Sequence, residues 1–373
     1  MFSEQISAEM ICFFILYGIT GAVPLMAAVY LLLRRGNAFA PEVTPPLRLR
    51  RWVASFFAVV SLAHVWWLLF HIFSSDLHSV GYMMLVMADI VLLFATFSGM
   101  LLAMLQDRRR SVWPALVTMI PFVVIWGVYM VYHSSLLEQI AAAYLVLLGL
   151  AFIGYMVVAI RQYERWLNDN YADLENKKVW LSQAVSLVCM LLFILYVLAI
   201  DMVLIWFIHL IELVLVALLL WRVETLPWLT SAPSSVANRR EAGGEALVNI
   251  DLAQIERLLA EHCVATQLYL QHDLNLQQLA RKIGTNRSYL SQYFSRQGIT
   301  YNTYINNLRI NHFISRYQEV ANTQQPFTVQ QLAHESGYRS YSTFSLAFKQ
   351  RTGQSVTAWI RDAGQTLGTV LFV

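Results

Sequence analysis

"LNLQQLARKIGTNRSYLSQYFSRQG" (Leu274–Gly298) reads as two short helices joined by a tight turn. Further on, "FTVQQLAHESGYRSYSTFSLAFKQRTG" (Phe327–Gly353) repeats the plan. In both, "QQLA" (Gln277–Ala280, Gln330–Ala333) is followed four residues later by glycine, Gly284 and Gly337. Glycine suits a turn that needs positive φ. The helix after each turn carries one apolar stripe: Leu290, Tyr293 and Phe294 in the first, Phe344, Ala347 and Phe348 in the second. This is the helix-turn-helix pattern, whose second helix enters the major groove of DNA. Between the units, "TYNTYINNLRINHF" places Tyr301, Tyr304, Ile305, Leu308 and His312 on one face. A long helix packed against both units is expected there.

The charge agrees with a nucleic-acid partner. From Leu274 to Arg361 ten Lys and Arg stand against two acids, Glu319 and Glu335, a local net of +8 where the whole chain has +3. Phosphate attraction supplies most nonspecific affinity for DNA. Side chains opposite each stripe should face the groove: Arg287, Ser288, Ser291 and Gln292 in the first unit, Tyr341, Ser342, Ser345 and Leu346 in the second. Gln292 suits adenine and Arg287 guanine. Arg296, Arg339, Lys349 and Arg351 are candidates for phosphate contacts.

On "SYLSQYF", "YINNLRI" and "QQLAHESGYRSYSTFSLAFKQRTGQS", residues of about 250–362 resemble the DNA-binding domain of the AraC/XylS family of bacterial transcription regulators. The resemblance implies a double helix-turn-helix domain on double-stranded DNA. It covers about a third of the chain. At Leu346 that family often has arginine.

The rest of the chain has another character. Hydrophobic residues make up 58% and charged residues 13% of the whole, and the charge is sparse in the first 222 residues. Seven runs there approach the roughly 20 apolar residues that cross a bilayer. They cover about 10–33, 52–73, 79–105, 112–132, 140–160, 181–199 and 202–221, the last two separated by a very short turn near Asp201. Every Lys and Arg of this half falls in loops one, three and five or at Arg222, with none in the N-terminal tail or loops two, four and six. Basic residues stay on the cytoplasmic side. The expected topology is therefore N-terminus outside and everything after Arg222 in the cytoplasm, in the inner membrane. Trp52, Trp113, Trp180 and Trp221 fall at the inner interface. Loop five, "RQYERWLNDNYADLENKKVW" (161–180), suits a helix on the inner leaflet, a helix against a partner, or a solvated extension of its neighbours.

Titratable groups inside spans are costly and point to function. They are His64, His71, Asp89, His209 and Glu212, candidates for intramembrane sensing. Interhelical hydrogen bonds that only fix packing are the alternative. No strong zinc signature is present, so no metal site is expected. The three cysteines, Cys12, Cys189 and Cys263, imply neither disulfide nor metal framework.

The expectation is an all-α chain: a seven-helix membrane bundle over residues 1–222, a linker over 223–249, a DNA-binding domain over 250–362 and a C-terminal extension over 363–373. It would regulate transcription as a one-component sensor of a small molecule, lipid or membrane partner, with a second copy of the chain as a candidate partner. No cofactor and no enzymatic activity is expected. The alternatives are a bundle with its own enzymatic or carrier activity, and a bundle that only anchors.

Overall fold

The computed structural model describes residues 8–34, 37–38, 41, 44–73, 79–174, 177–198, 202–229, 252–323 and 327–370. Their regular elements are all helices, with no strand among the described residues. They form two units: residues 1–163 with 179–231, and residues 164–178 with 232–373.

The first unit holds α1 (Ala8–Leu33), α2 (Leu47–Phe73), α3 (Val80–Met104), α4 (Trp113–Val117), α5 (Ile120–Tyr132), most of α6 (Ser135–Asn170), α7 (Trp180–Leu198) and α8 (Met202–Thr225). Six of the seven expected spans are long and apolar enough to cross a membrane. The sixth run forms α7, whose stretch Trp180–Leu191 is an apolar helix among the described residues. The turn near Asp201 lies outside the described residues. The fourth span, Trp113–Tyr132, is interrupted between α4 and α5. Pro121 has no N–H to donate and its ring crowds the carbonyl four residues back, so the chain turns at Thr118–Met119.

Large apolar side chains line the outside of this unit, including Ile15, Leu33, Val131, Leu147 and Val214. Water would penalise such a surface, and hydrocarbon would cover it. Small residues set the helix spacing inside. A Cβ on Gly99 would run into the Trp52 ring, so α2 and α3 approach this closely only with glycine there. Gln183 donates to the Leu101 carbonyl at 2.9 Å, a polar tie between α7 and α3.

The described part of the expected linker, residues 223–229, belongs to this unit. α8 continues to Thr225, and Leu226 and Leu229 are buried. The Trp228 N–H donates to the Thr44 carbonyl at 2.8 Å. Gln106 donates to the Pro227 carbonyl at 3.0 Å and accepts from the Leu229 N–H at 2.9 Å. Residues 230–249, the rest of the expected linker, lie outside the described residues.

The second unit contains α9 (Leu252–Leu259), a π-helical turn (Ala260–Val264), a 3-10 turn (Leu268–Leu270), α10 (Leu276–Lys282), α11 (Arg287–Arg296), α12 (Tyr301–Thr323), α13 (Val329–Glu335), α14 (Tyr341–Thr352) and α15 (Val356–Val370). α12 spans two cores. Tyr301 and Ile305 join Leu279, Leu290 and Phe294 in one, and Ile310, Phe313 and Tyr317 join Leu332, Phe344 and Phe348 in the other. α15 continues past Arg361 without a break, through most of the expected extension, and residues 371–373 lie outside the described residues.

Candidate nucleic-acid interface and intramembrane cluster

Each helix-turn-helix is set by local chemistry. Asn275 caps α10 by accepting from the Gln278 N–H at 2.9 Å, while Gln278 accepts from the Asn275 N–H at 3.0 Å. This reciprocal pair satisfies two helix-end donors. Asn286, Thr328 and Ser340 cap α11, α13 and α14 in the same sense. Gly284 and Gly337 take φ of +76° and +91°, as their spacing predicts. At Gly337 a Cβ would also stand 2.9 Å from the Leu270 carbonyl oxygen.

The two recognition helices bury the expected stripes: Leu290, Tyr293 and Phe294 on α11, and Phe344, Ala347 and Phe348 on α14. Their opposite faces are open. Ser288, Gln292 and Arg296 are exposed on α11, with Ser291 half-buried, and these four border one shallow depression together with Arg287. On α14 Tyr341, Ser342, Leu346 and Lys349 are exposed and Ser345 is half-buried, with Arg351 exposed at its end.

Several of the basic residues are engaged within the unit, among them Lys282 with Gln271 and Arg361 with Asp362. Arg309 is buried, donating from Nε to the Tyr269 carbonyl and from Nη2 to the Gln271 carbonyl, both at 2.7 Å, with its guanidinium over the Tyr338 ring. It braces the two halves of the domain and adds no surface charge. The sequence held the signal, because Arg309 follows Ile305 by four residues on a buried face. Arg316 pairs with Glu319 and Glu335. Arg339 pairs with Asp273, which lies one residue before the stretch counted as +8. The basic surface is therefore smaller than the sequence count.

Arg287 is also held, by loop five. α6 runs on to Asn170, and residues 164–178 count with the second unit. Asn170 Oδ1 accepts from Arg287 Nε at 3.0 Å and Nη2 at 2.7 Å. Asn302 donates to the Tyr171 and Ala172 carbonyls at 3.1 and 2.6 Å, and Asn306 to Ala172 at 3.3 Å. Ala172 is buried in the first core of the domain. Burial pushes the Tyr171 hydroxyl up to about 12 and lowers the Arg287 guanidinium. Loop five thus begins as a helical extension of α6 through Asn170 and then docks on a surface of the same chain. Sequence reasoning missed Asn170 and Ala172, which lie where the helical period ends, and Asn302 and Asn306, whose face of α12 meets a segment far away in sequence.

The intramembrane candidates separate. His64 on α2 and His209 and Glu212 on α8 converge, their ligand atoms all within 4.8 Å of one another. Asp89 is outside this group and accepts from the Trp67 indole at 2.6 Å. The His71 side chain lies outside the described residues. An apolar cavity of about 200 Å³ lies elsewhere in the unit, lined by Phe56, Phe94, Phe97, Leu145, Cys189 and Met190 among others.

Residues 279–362 match a family model described as a helix-turn-helix domain. No curated protein and no solved structure matches the chain.

Proposed function

Starting from an AraC-type helix-turn-helix domain at residues 279–362, we propose that this chain is a sequence-specific transcription regulator anchored in the cytoplasmic membrane, its N-terminus outside and its DNA-binding domain in the cytoplasm. The observation that carries the reading is the pair of recognition helices with buried apolar stripes and open polar faces, following six helices apolar enough to span. The one-sided arginines support the topology. With α7 crossing as well, the bundle has seven spans.

The bundle senses a small molecule, lipid or membrane partner. The apolar cavity favours a ligand with hydrocarbon character. Loop five supplies a route to the DNA domain. It joins α6 to α7 in sequence and holds Arg287, a side chain suited to a guanine edge. A signal that withdraws the segment from α11 releases that arginine. The rival reading gives the bundle its own enzymatic or carrier chemistry.

The test is recovery of chromosomal DNA bound by the intact protein in membranes. One recurring sequence should be enriched, and Lys349→Ala should weaken all sequences alike and reduce the slope of log K against log salt by about 0.9. Enrichment no different from a chain lacking residues 279–362 would overturn the reading. A periplasm-dependent reporter should stay silent when fused after Leu229; activity there would overturn the topology.

A further inference from the structure

From the geometry of His64, His209 and Glu212 we infer a divalent transition-metal site of the zinc class inside the membrane bundle. The site deepens the sensing reading above, since it names what the bundle binds, and its existence can be tested apart from DNA binding.

Each donor is placed by its helix. His209 and Glu212 lie one turn apart on α8 and so share a face. His64 reaches them from α2. Glu212 Oε2 stands 3.7 Å from His64 Nε2 and 3.6 Å from His209 Nδ1. Those separations decide between two arrangements. Direct hydrogen bonds between nitrogen and carboxylate close to about 2.7–3.2 Å. Donors at about 2.0–2.2 Å from a tetrahedral ion stand about 3.3–3.6 Å apart. The two distances to Glu212 are too long for the first and close to the second, and the ligand atoms of the two imidazoles stand within 4.8 Å of each other.

The protonation pattern fits as well. His64 Nδ1 lies 2.9 Å from the Val60 carbonyl, which can only accept. In the neutral ring the proton therefore sits on Nδ1, and the Nε2 lone pair faces Glu212. A backbone carbonyl orienting a metal-bound imidazole is a common arrangement. Neither His64 Nε2 nor Glu212 Oε1, both buried, has a hydrogen-bond partner among the described residues. Near His209 Nδ1, the Thr20 hydroxyl at 3.3 Å also has the Leu16 and Tyr17 carbonyls as acceptors for its proton.

α1 closes the site. The Tyr17 ring lies 4.8 Å from the His64 ring and 5.5 Å from the His209 ring, and its hydroxyl donates to the His64 carbonyl at 2.9 Å. Gly21 leaves room, since a Cβ there would stand 3.1 Å from that of His64. An isolated carboxylate in such a place is expensive, and a dication bound by Glu212 removes that cost. Two imidazoles and one carboxylate favour zinc, cobalt or nickel over calcium or magnesium, which take oxygen donors. Three protein ligands leave a fourth position open to water or a small ligand, the pattern of a reactive or sensing centre rather than a closed structural one.

The full chain in lipid nanodiscs, stripped with a chelator, is titrated with zinc and with cobalt(II). Metal content and the ligand-field absorption of bound cobalt are read. The expected result is one equivalent per chain and a four-coordinate cobalt spectrum. Glu212→Gln and His64→Gln, which keep side-chain size, lose that equivalent and the spectrum. His334→Gln keeps both; it tests the only other close histidine pair among the described residues, His272 and His334, whose rings lie 4.7 Å apart. Absence of stoichiometric metal in the unaltered chain overturns the inference, as does binding that survives both Glu212→Gln and His64→Gln. Salt-dependent binding of duplex DNA by the same nanodiscs is measured alongside. Metal lost with DNA binding intact removes only the metal site, and the reverse removes only the regulator reading.

Discussion

Asn170→Ala should tighten DNA binding by the intact chain. In the docked state Asn170 Oδ1 takes two N–H groups of Arg287, at 3.0 and 2.7 Å. For DNA to use that guanidinium, both bonds must break. A hydrogen bond to a charged group contributes about 1.5–3 kcal/mol net. Here one oxygen serves both donors and Arg287 is half-exposed, so the pair is worth the lower end, about 1–2 kcal/mol. Alanine removes this competition while leaving the rest of the segment in place, because Asn302 and Asn306 bond to main-chain carbonyls. The dissociation constant for the selected chromosomal fragment should therefore fall about 5–30-fold. The assay is fluorescence anisotropy of that fragment against the protein in nanodiscs, at one fixed salt concentration. A double-mutant cycle assigns the effect: in an Arg287→Ala background, Asn170→Ala should change nothing. Unchanged or weaker binding by Asn170→Ala, or a gain that persists without Arg287, would refute competition between loop five and DNA.

Arg309→Met should lower the stability of the DNA-binding domain by about 3–5 kcal/mol, because the Tyr269 and Gln271 carbonyls lose their donors in a buried place; denaturant unfolding checks it, and a change confined to the salt slope would mark a phosphate contact instead. Gly337→Ala should cost about 2 kcal/mol or more, since φ is +91° and the new Cβ meets the Leu270 carbonyl, whereas Gly284→Ala, with open space around it, should cost about half as much in the same assay. Burial and the Arg316 guanidinium hold the His312 imidazole below its ordinary value. Its contribution is thus present above about pH 6.5 and lost as pH falls through the lower folded value; unfolding midpoints between pH 7.5 and 5 should show this fall, and His312→Gln should flatten it.

Local pattern alone carried the tandem helix-turn-helix. The QQLA–glycine spacing, the caps and the 3.6-residue stripes act between residues a few positions apart, so Leu290, Phe294, Phe344 and Phe348 were legible as core from their spacing. The apolar runs were equally legible, because length and composition are enough to meet the thickness of a bilayer. The proline break between α4 and α5 was written in the sequence too, yet hydropathy alone hid it. Net charge misled where tertiary partners intervene: Arg309 is spent inside the domain, and Arg339 faces an acid just outside the counted stretch.

What the tertiary structure decided is which distant groups meet. Nothing in the spacing of His64 relative to Glu212 foretells that α2 and α8 bring them to 3.7 Å, or that Asp89, equally conspicuous in sequence, stays with Trp67 instead. Nor does a polar loop announce that Asn170 will grip Arg287. Sequence periodicity fixes the face a residue occupies on its own helix. Which face of which other helix it opposes depends on close packing of the whole unit, down to one glycine under the Trp52 ring, and that constraint is non-local.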